Sequence, residues 1–138
     1  MPTVELMDWE RARPLAAPIR FAVFVDEQRV PAEIELDDMD ARSLHAVAFD
    51  GKQAVGTGRL LPDGHVGRMA VLKPWRGKGV GGLVLKKLVQ RAREQGHREV
   101  LLAAQVHAVP FYERHGFACA GPEFEEAGIP HRNMRRAL

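Results

Sequence analysis

RMAVLKPWRGKGVGG, residues 68–82, closes a strand-like run and opens a helical one. Within it, residues 76–82 hold four glycines and two cations. Beyond it the spacing is helical: Val80, Leu83, Val84, Leu88, Val89 and Ala92 fall on one face, and Lys86, Lys87, Gln90, Arg91 and Arg93 on the other. A glycine-rich turn from strand to helix is an anion site on electrostatic grounds. The first N–H groups of a helix have no intrahelical partner, and the helix dipole places roughly half a positive charge there. Glycines let a phosphate approach the backbone, while Arg76 and Lys78 supply charge-assisted contacts. A phosphate-bearing ligand is the functional reading. The alternative is a turn that merely joins strand to helix.

Working outward, residues 3–7 alternate as a short strand, and Asp8 is placed to cap a helix running through Arg20 to Val25. Pro14 and Pro18 are expected to bend or break that helix. The acid-rich residues 33–40 read as loop with a short helical turn. Strand patterns follow at 44–49, 54–61 and 66–72, joined by Gly51-Lys52 and Pro62-Asp63-Gly64. Turns this short make neighbouring strands antiparallel. Gly96 suits a helix C-terminus, residues 99–106 read as a buried strand, and residues 109–115 as a short helix ended by Gly116. Residues 117–120 and 131–136 read as final strands. The fold class is α/β in the α+β sense, a mixed, mostly antiparallel sheet with helices packed on it.

Composition limits the function classes. The 138 residues suit one domain, 1–138. The net charge of +2, with a calculated pI near 9.0, is too small a bias to imply nucleic acid. Arg132, Arg135 and Arg136 lack aromatic interleaving and read as a solvated strand face, so no nucleic acid is expected. Cys119 has no partner for an internal disulfide, which favours a reducing compartment. The N-terminus shows no apolar signal core, and no apolar run nears the ~20 residues that span a bilayer. A cytoplasmic protein without membrane partners is expected. The histidines and the lone cysteine show no metal-ligand spacing, so no metal is expected.

Which phosphate ligand is meant depends on the glycine frame. Gly77, Gly79 and Gly82 match G-x-G-x-x-G, but a dinucleotide fingerprint opens a parallel unit and has an acid at a strand end ~20 residues on. Glu99 precedes its strand, and the strands before the glycines read as antiparallel. A nucleotide-triphosphate loop fails too, since no Lys-Ser or Lys-Thr follows. The other frame is Arg76, Gly79, Gly81, or R-x-x-G-x-G. In that frame RMAVLKPWRGKGVGG resembles the acetyl-CoA-dependent N-acetyltransferases of the GNAT superfamily. AQVHAVPFYERHGF resembles the family's second block, and VFVDEQRVP, RLLPDG and GIPH resemble its small bacterial ElaA-like subgroup.

The resemblance implies a GNAT fold of about six to seven strands flanked by about four helices, splayed between the fourth and fifth strands. It implies acetyl-CoA as co-substrate, with the pyrophosphate of coenzyme A on the amides of Arg76, Gly77, Lys78, Gly79, Val80 and Gly81. Pantetheine would pair with Met69, Ala70 and Val71, the N–H of Met69 polarising the thioester carbonyl. Gln105 stands where the family often has Asn to bond the pantetheine arm. Tyr112 would be the general acid for the departing thiolate. The base that deprotonates the amine has candidates in Glu27, Glu33, Glu35, His107 and His131, with Glu27 and His131 preferred because they lie in VFVDEQ and GIPH. The acceptor would be a small-molecule or peptide amine, drawn in part by Glu27 and by the acidic run Glu33, Glu35, Asp37, Asp38 and Asp40, although the run as a whole reads rather as a solvated loop. A homodimer is compatible with the family. The alternative function is a non-catalytic acyl-CoA sensor or interaction module of the same fold, against which Tyr112 argues, since a binder needs no acid at the sulfur.

Overall fold

The structure, a computed structural model, describes residues 2–138. Strand β1 (Thr3–Met7) leads to helix α1 (Trp9–Arg20), capped by the Asp8 carboxylate, which accepts from the Arg11 N–H at 3.0 Å. Pro14 and Pro18 neither break nor end the helical path. Each deletes one backbone donor, and after Pro18 the coil widens into a π-helical segment (Phe21–Glu27). Its wider turn shows in the Gln28 N–H, which donates to Val23 O at 3.1 Å. A single turn, α2 (Ala32–Glu35), sits within the acidic stretch.

Strands β2 (Leu44–Asp50), β3 (Gln53–Leu60) and β4 (Val66–Val71) follow, and β1 to β4 form one antiparallel sheet in chain order. Helix α3 (Val80–Glu94) packs on one face and α1 on the other, so the middle strands are buried on both sides. Ala46 and Ala48 meet the α3 side and Val47 meets Ala12 of α1, as the two-residue period of a strand requires. Strand β5 (Glu99–Gln105), helix α4 (Val109–Arg114), β6 (Ala118–Glu126) and β7 (Ile129–Ala137) complete the chain, with a second antiparallel sheet in the order β5-β7-β6.

There are thus two ladders where a single mixed sheet was expected. They meet at one parallel bridge, His65 with Leu101, beside the Leu101 N–H donating to Gly64 O at 3.1 Å. Beyond that bridge β4 and β5 diverge, which is the splay expected between the fourth and fifth strands. The last two strands are longer than the apolar pattern suggested. Glu123, Glu125 and Glu126 lie on exposed parts of β6, where no buried face imposes alternation. Their hairpin turns at Ala127 (φ 53°) and Gly128 (φ 75°), the pair of positive φ values that a two-residue hairpin needs.

Candidate active site

The opening between β4 and β5 is a cleft of about 800 Å³ whose walls include Met69, Val71, Arg76, Gln105, Tyr112 and His131. Side chains as far apart in sequence as Met69 and His131 meet here because the two ladders part at the His65 bridge. The N–H of Leu72 donates to Val55 O on β3 at 2.9 Å. Strand alternation then turns the N–H groups of Val71 and Met69 away from β3, toward the opening. Just before Met69 the β3–β4 register slips between Thr57 and Arg59, and Arg68 takes φ 51°. This bulge bends β4 where it leaves its neighbour.

At the Arg76 end of the cleft, β4 runs through a tight turn (Lys73–Trp75) into the glycine stretch. Gly77 (φ 75°) and Gly79 (φ 83°) both lie in the left-handed region, and nothing stands within 4 Å of a Cβ built on either. Gly79 caps α3 with no side-chain acceptor, so the first amides of α3 face outward. An anionic diphosphate fits this open cradle. One detail differs from expectation: the Arg76 N–H is used internally, donating to Lys73 O at 3.2 Å. Arg76 can therefore act through its guanidinium. Its Nε donates to Val71 O at 2.9 Å, and Nη1 and Nη2 clasp the Glu27 carboxylate at 2.8 and 2.7 Å. Trp75 covers the loop, donating from Nε1 to Asp50 at 2.9 Å.

Tyr112 of α4 is 8% exposed, its ring set edge-on to Phe111 and Phe117. Burial pushes its phenol up to about 12, so it holds its proton throughout the physiological range. His131 of β7 stands opposite Gln105 in the ladder and is also nearly buried. Its Nδ1 must donate to Ile129 O, at 2.7 Å, because a carbonyl only accepts. In the neutral ring the lone pair is then on Nε2, which lies 3.7 Å from Glu126 Oε2.

The structure places the two preferred base candidates differently. His131 lines the cleft and Glu27 does not. The bonds from Arg76 hold the Glu27 carboxyl below its ordinary pKa, which weakens it as a base. Met69, Ala70, Val71, Arg76, Gln105 and Tyr112 line the cleft, whereas Gly77, Lys78, Gly79, Val80 and Gly81, which follow Arg76 in the chain, do not.

Three members of the acidic run, Glu35, Asp37 and Asp40, are tied to arginines rather than left to solvent, while Glu33 and Asp38 are exposed. Arg20, 1% exposed, bonds Glu35 at 2.7 Å and Asp40 at 2.8 Å. Arg59 bonds Asp37 at 2.7 Å and Asp40 at 2.9 Å, and Arg68 bonds Asp37 at 3.3 Å. Three acids and three arginines neutralise one another, and Glu35, Arg59 and Arg68 form one cleft wall. Arg59 and Arg68 carried no sequence signal, because their partners lie 22 and 31 positions away. The hydrogen bonds from Arg59 hold Asp37 down, from 3.8 to about 2, against an upward push from burial. A carboxyl depressed by folding stabilises the fold above its unfolded pKa and loses that contribution as pH falls through its folded one. Stability should therefore fall between about pH 4 and about pH 2, and Asp37→Asn should flatten that slope. Denaturant melts across this range measure both.

Residues 13–138 match the family model described as an acetyltransferase (GNAT) domain. The uncharacterized N-acetyltransferase YjcF of Bacillus subtilis is 44% identical over 122 residues, covering 86% of this chain and 87% of YjcF. ElaA of Escherichia coli is 32% identical over 128 residues, covering 87% of this chain and 84% of ElaA. The crystal structure of E. coli ElaA superposes with a TM-score of 0.87 at 27% identity, over 99% of each chain. An acyl-CoA N-acyltransferase from Pseudomonas aeruginosa gives a TM-score of 0.87 at 28% identity, over 99% of this chain and 100% of that one.

Proposed function

The chain belongs to the GNAT acetyltransferase family, and from that premise we propose that it transfers the acetyl group of acetyl-CoA to a primary amine by direct attack on the thioester. One observation carries the reading. Arg76, which leads through a glycine stretch into the N-terminus of α3, lines a cleft whose wall also holds a buried, protonated phenol. The outward amides of α3 and the Arg76 guanidinium hold the coenzyme diphosphate. The N–H of Met69 receives the charge that develops on the thioester oxygen.

Acetyl transfer requires a neutral amine, loss of one proton from nitrogen and delivery of one to sulfur. His131 accepts the first at Nε2, the nitrogen left free by the bond from Nδ1 to Ile129. Tyr112 delivers the second. Glu27 sets the guanidinium of Arg76 and takes no proton. The acceptor is a small-molecule or peptide amine, and Glu35, Asp37 and Asp40, each already paired with an arginine, do not serve to attract its charge.

Calorimetric titration with acetyl-CoA, with ATP and NADH as controls, tests the reading. Binding of acetyl-CoA alone, followed by thiol release with an amine from a panel, is the expected result. Binding of NADH in preference would overturn it.

A further inference from the structure

Gln28 and Gln105 are 77 positions apart in sequence, yet their side-chain amides pair reciprocally. Gln28 Nε2 donates to Gln105 Oε1 at 3.2 Å, and Gln105 Nε2 donates to Gln28 Oε1 at 2.7 Å. Both residues line the cleft. Gln105 ends β5, whereas Gln28 directly follows the π-helical segment, which is seated on β4 through Val23 and Phe24 packed with Ala70 and Leu72. The amide pair therefore crosses the opening from the β4 side to the β5 side.

Resting on the acetyl-CoA reading above, we infer that Gln28 is a second amide ligand of the pantetheine arm, acting with Gln105 as one unit. The argument is one of valence. A carboxamide has two N–H donors and two acceptor lone pairs. The reciprocal pair uses one of each from each residue, so the couple still presents two donors and two acceptors. The pantetheine arm carries two secondary amides, each with one N–H and one C=O, and the inventories match.

Gln28 is also braced. Its own N–H donates to Val23 O at 3.1 Å, and the next N–H, that of Arg29, donates to Val25 O at 3.1 Å. The residue before it, Glu27, is clasped by Arg76. A side chain held at its base on one side and by Gln105 at its tip loses little freedom on binding, which favours affinity. The same chain of contacts links the diphosphate end of the site, through Arg76 and Glu27, to its amide end, through Gln28 and Gln105.

The test is calorimetric titration of the full chain and two variants with acetyl-CoA and with 3′-phospho-ADP, which carries the diphosphate but no arm. Gln28→Ala should weaken acetyl-CoA about tenfold, as expected for one or two hydrogen bonds. It should leave 3′-phospho-ADP within about twofold. Gln28→Glu, equal in size but lacking the N–H₂ donors, should lose acetyl-CoA affinity to a similar degree. Unchanged acetyl-CoA affinity in both variants overturns the inference and leaves the coenzyme reading intact. Equal weakening of both ligands also overturns it, since that is the mark of a merely structural residue. A wild-type chain that binds neither ligand overturns the coenzyme reading, and the inference with it.

Discussion

Gly79→Glu abolishes acetyl-CoA binding while the protein stays folded. Gly79 adopts φ 83°, and nothing lies within 4 Å of a Cβ built there, so the first atom of the new side chain is accommodated. The cost to the fold is the left-handed conformation, about 1–2 kcal/mol for an L-residue. The cost to the ligand is far larger. The carboxylate stands at the positive end of α3, where it satisfies the outward amides from within the chain and repels a diphosphate. Gly79→Ala separates the two effects: it carries the same backbone strain without the charge, and should retain measurable binding. Thermal melts and calorimetry on both variants give the comparison. Unchanged acetyl-CoA affinity in Gly79→Glu would remove the diphosphate from this end of α3.

Tyr112→Phe lowers turnover by roughly 10²- to 10⁴-fold, the usual share of a general acid. The substitution keeps the ring and its edge-on packing with Phe111 and Phe117. Among the described residues the phenol oxygen makes no hydrogen bond, so its removal leaves stability nearly untouched. KM for acetyl-CoA should change little, because the proton is needed as thiolate departs rather than when coenzyme binds. Steady-state thiol-release kinetics separate the two parameters. Near-wild-type turnover would pass the proton to water and leave Tyr112 a packing residue.

What sequence could reveal here follows from the range of each signal. Helix α3 and strands β2 to β5 lie where apolar spacing is dictated by a nearby buried face, and their bounds differ from the pattern by a residue or two. The glycine turn into α3 was legible because glycines directly before a helical apolar spacing are a local signal. The helical path from Asp8 to Val25 was legible too, but its widening into a π-turn after Pro18 was not, because that depends on what Val23 and Phe24 find to pack against on β4. The network of buried Arg20 and Arg59 with half-buried Arg68 was hidden for a similar reason: charges in sequence read as surface until their distant partners are placed beside them. Gln28 lay inside the stretch VFVDEQRVP, but an amide on a short braced segment has no periodicity to betray it, and only its meeting with Gln105 gives it meaning.

The parting of β4 from β5 bears on how the backbone trades hydrogen with solvent. The ladder to β3 protects the amides that face it, such as that of Ala70 opposite Thr57 and, just past the strand, that of Leu72 bonded to Val55, and these should exchange only on cooperative opening of the first sheet. The amides of Val71 and Met69, turned toward the cleft, have no ladder partner and should exchange through local access alone. A single strand thus belongs to two timescales at once. An extended ligand lying along the cleft would merge them, slowing the fast set without altering the slow one.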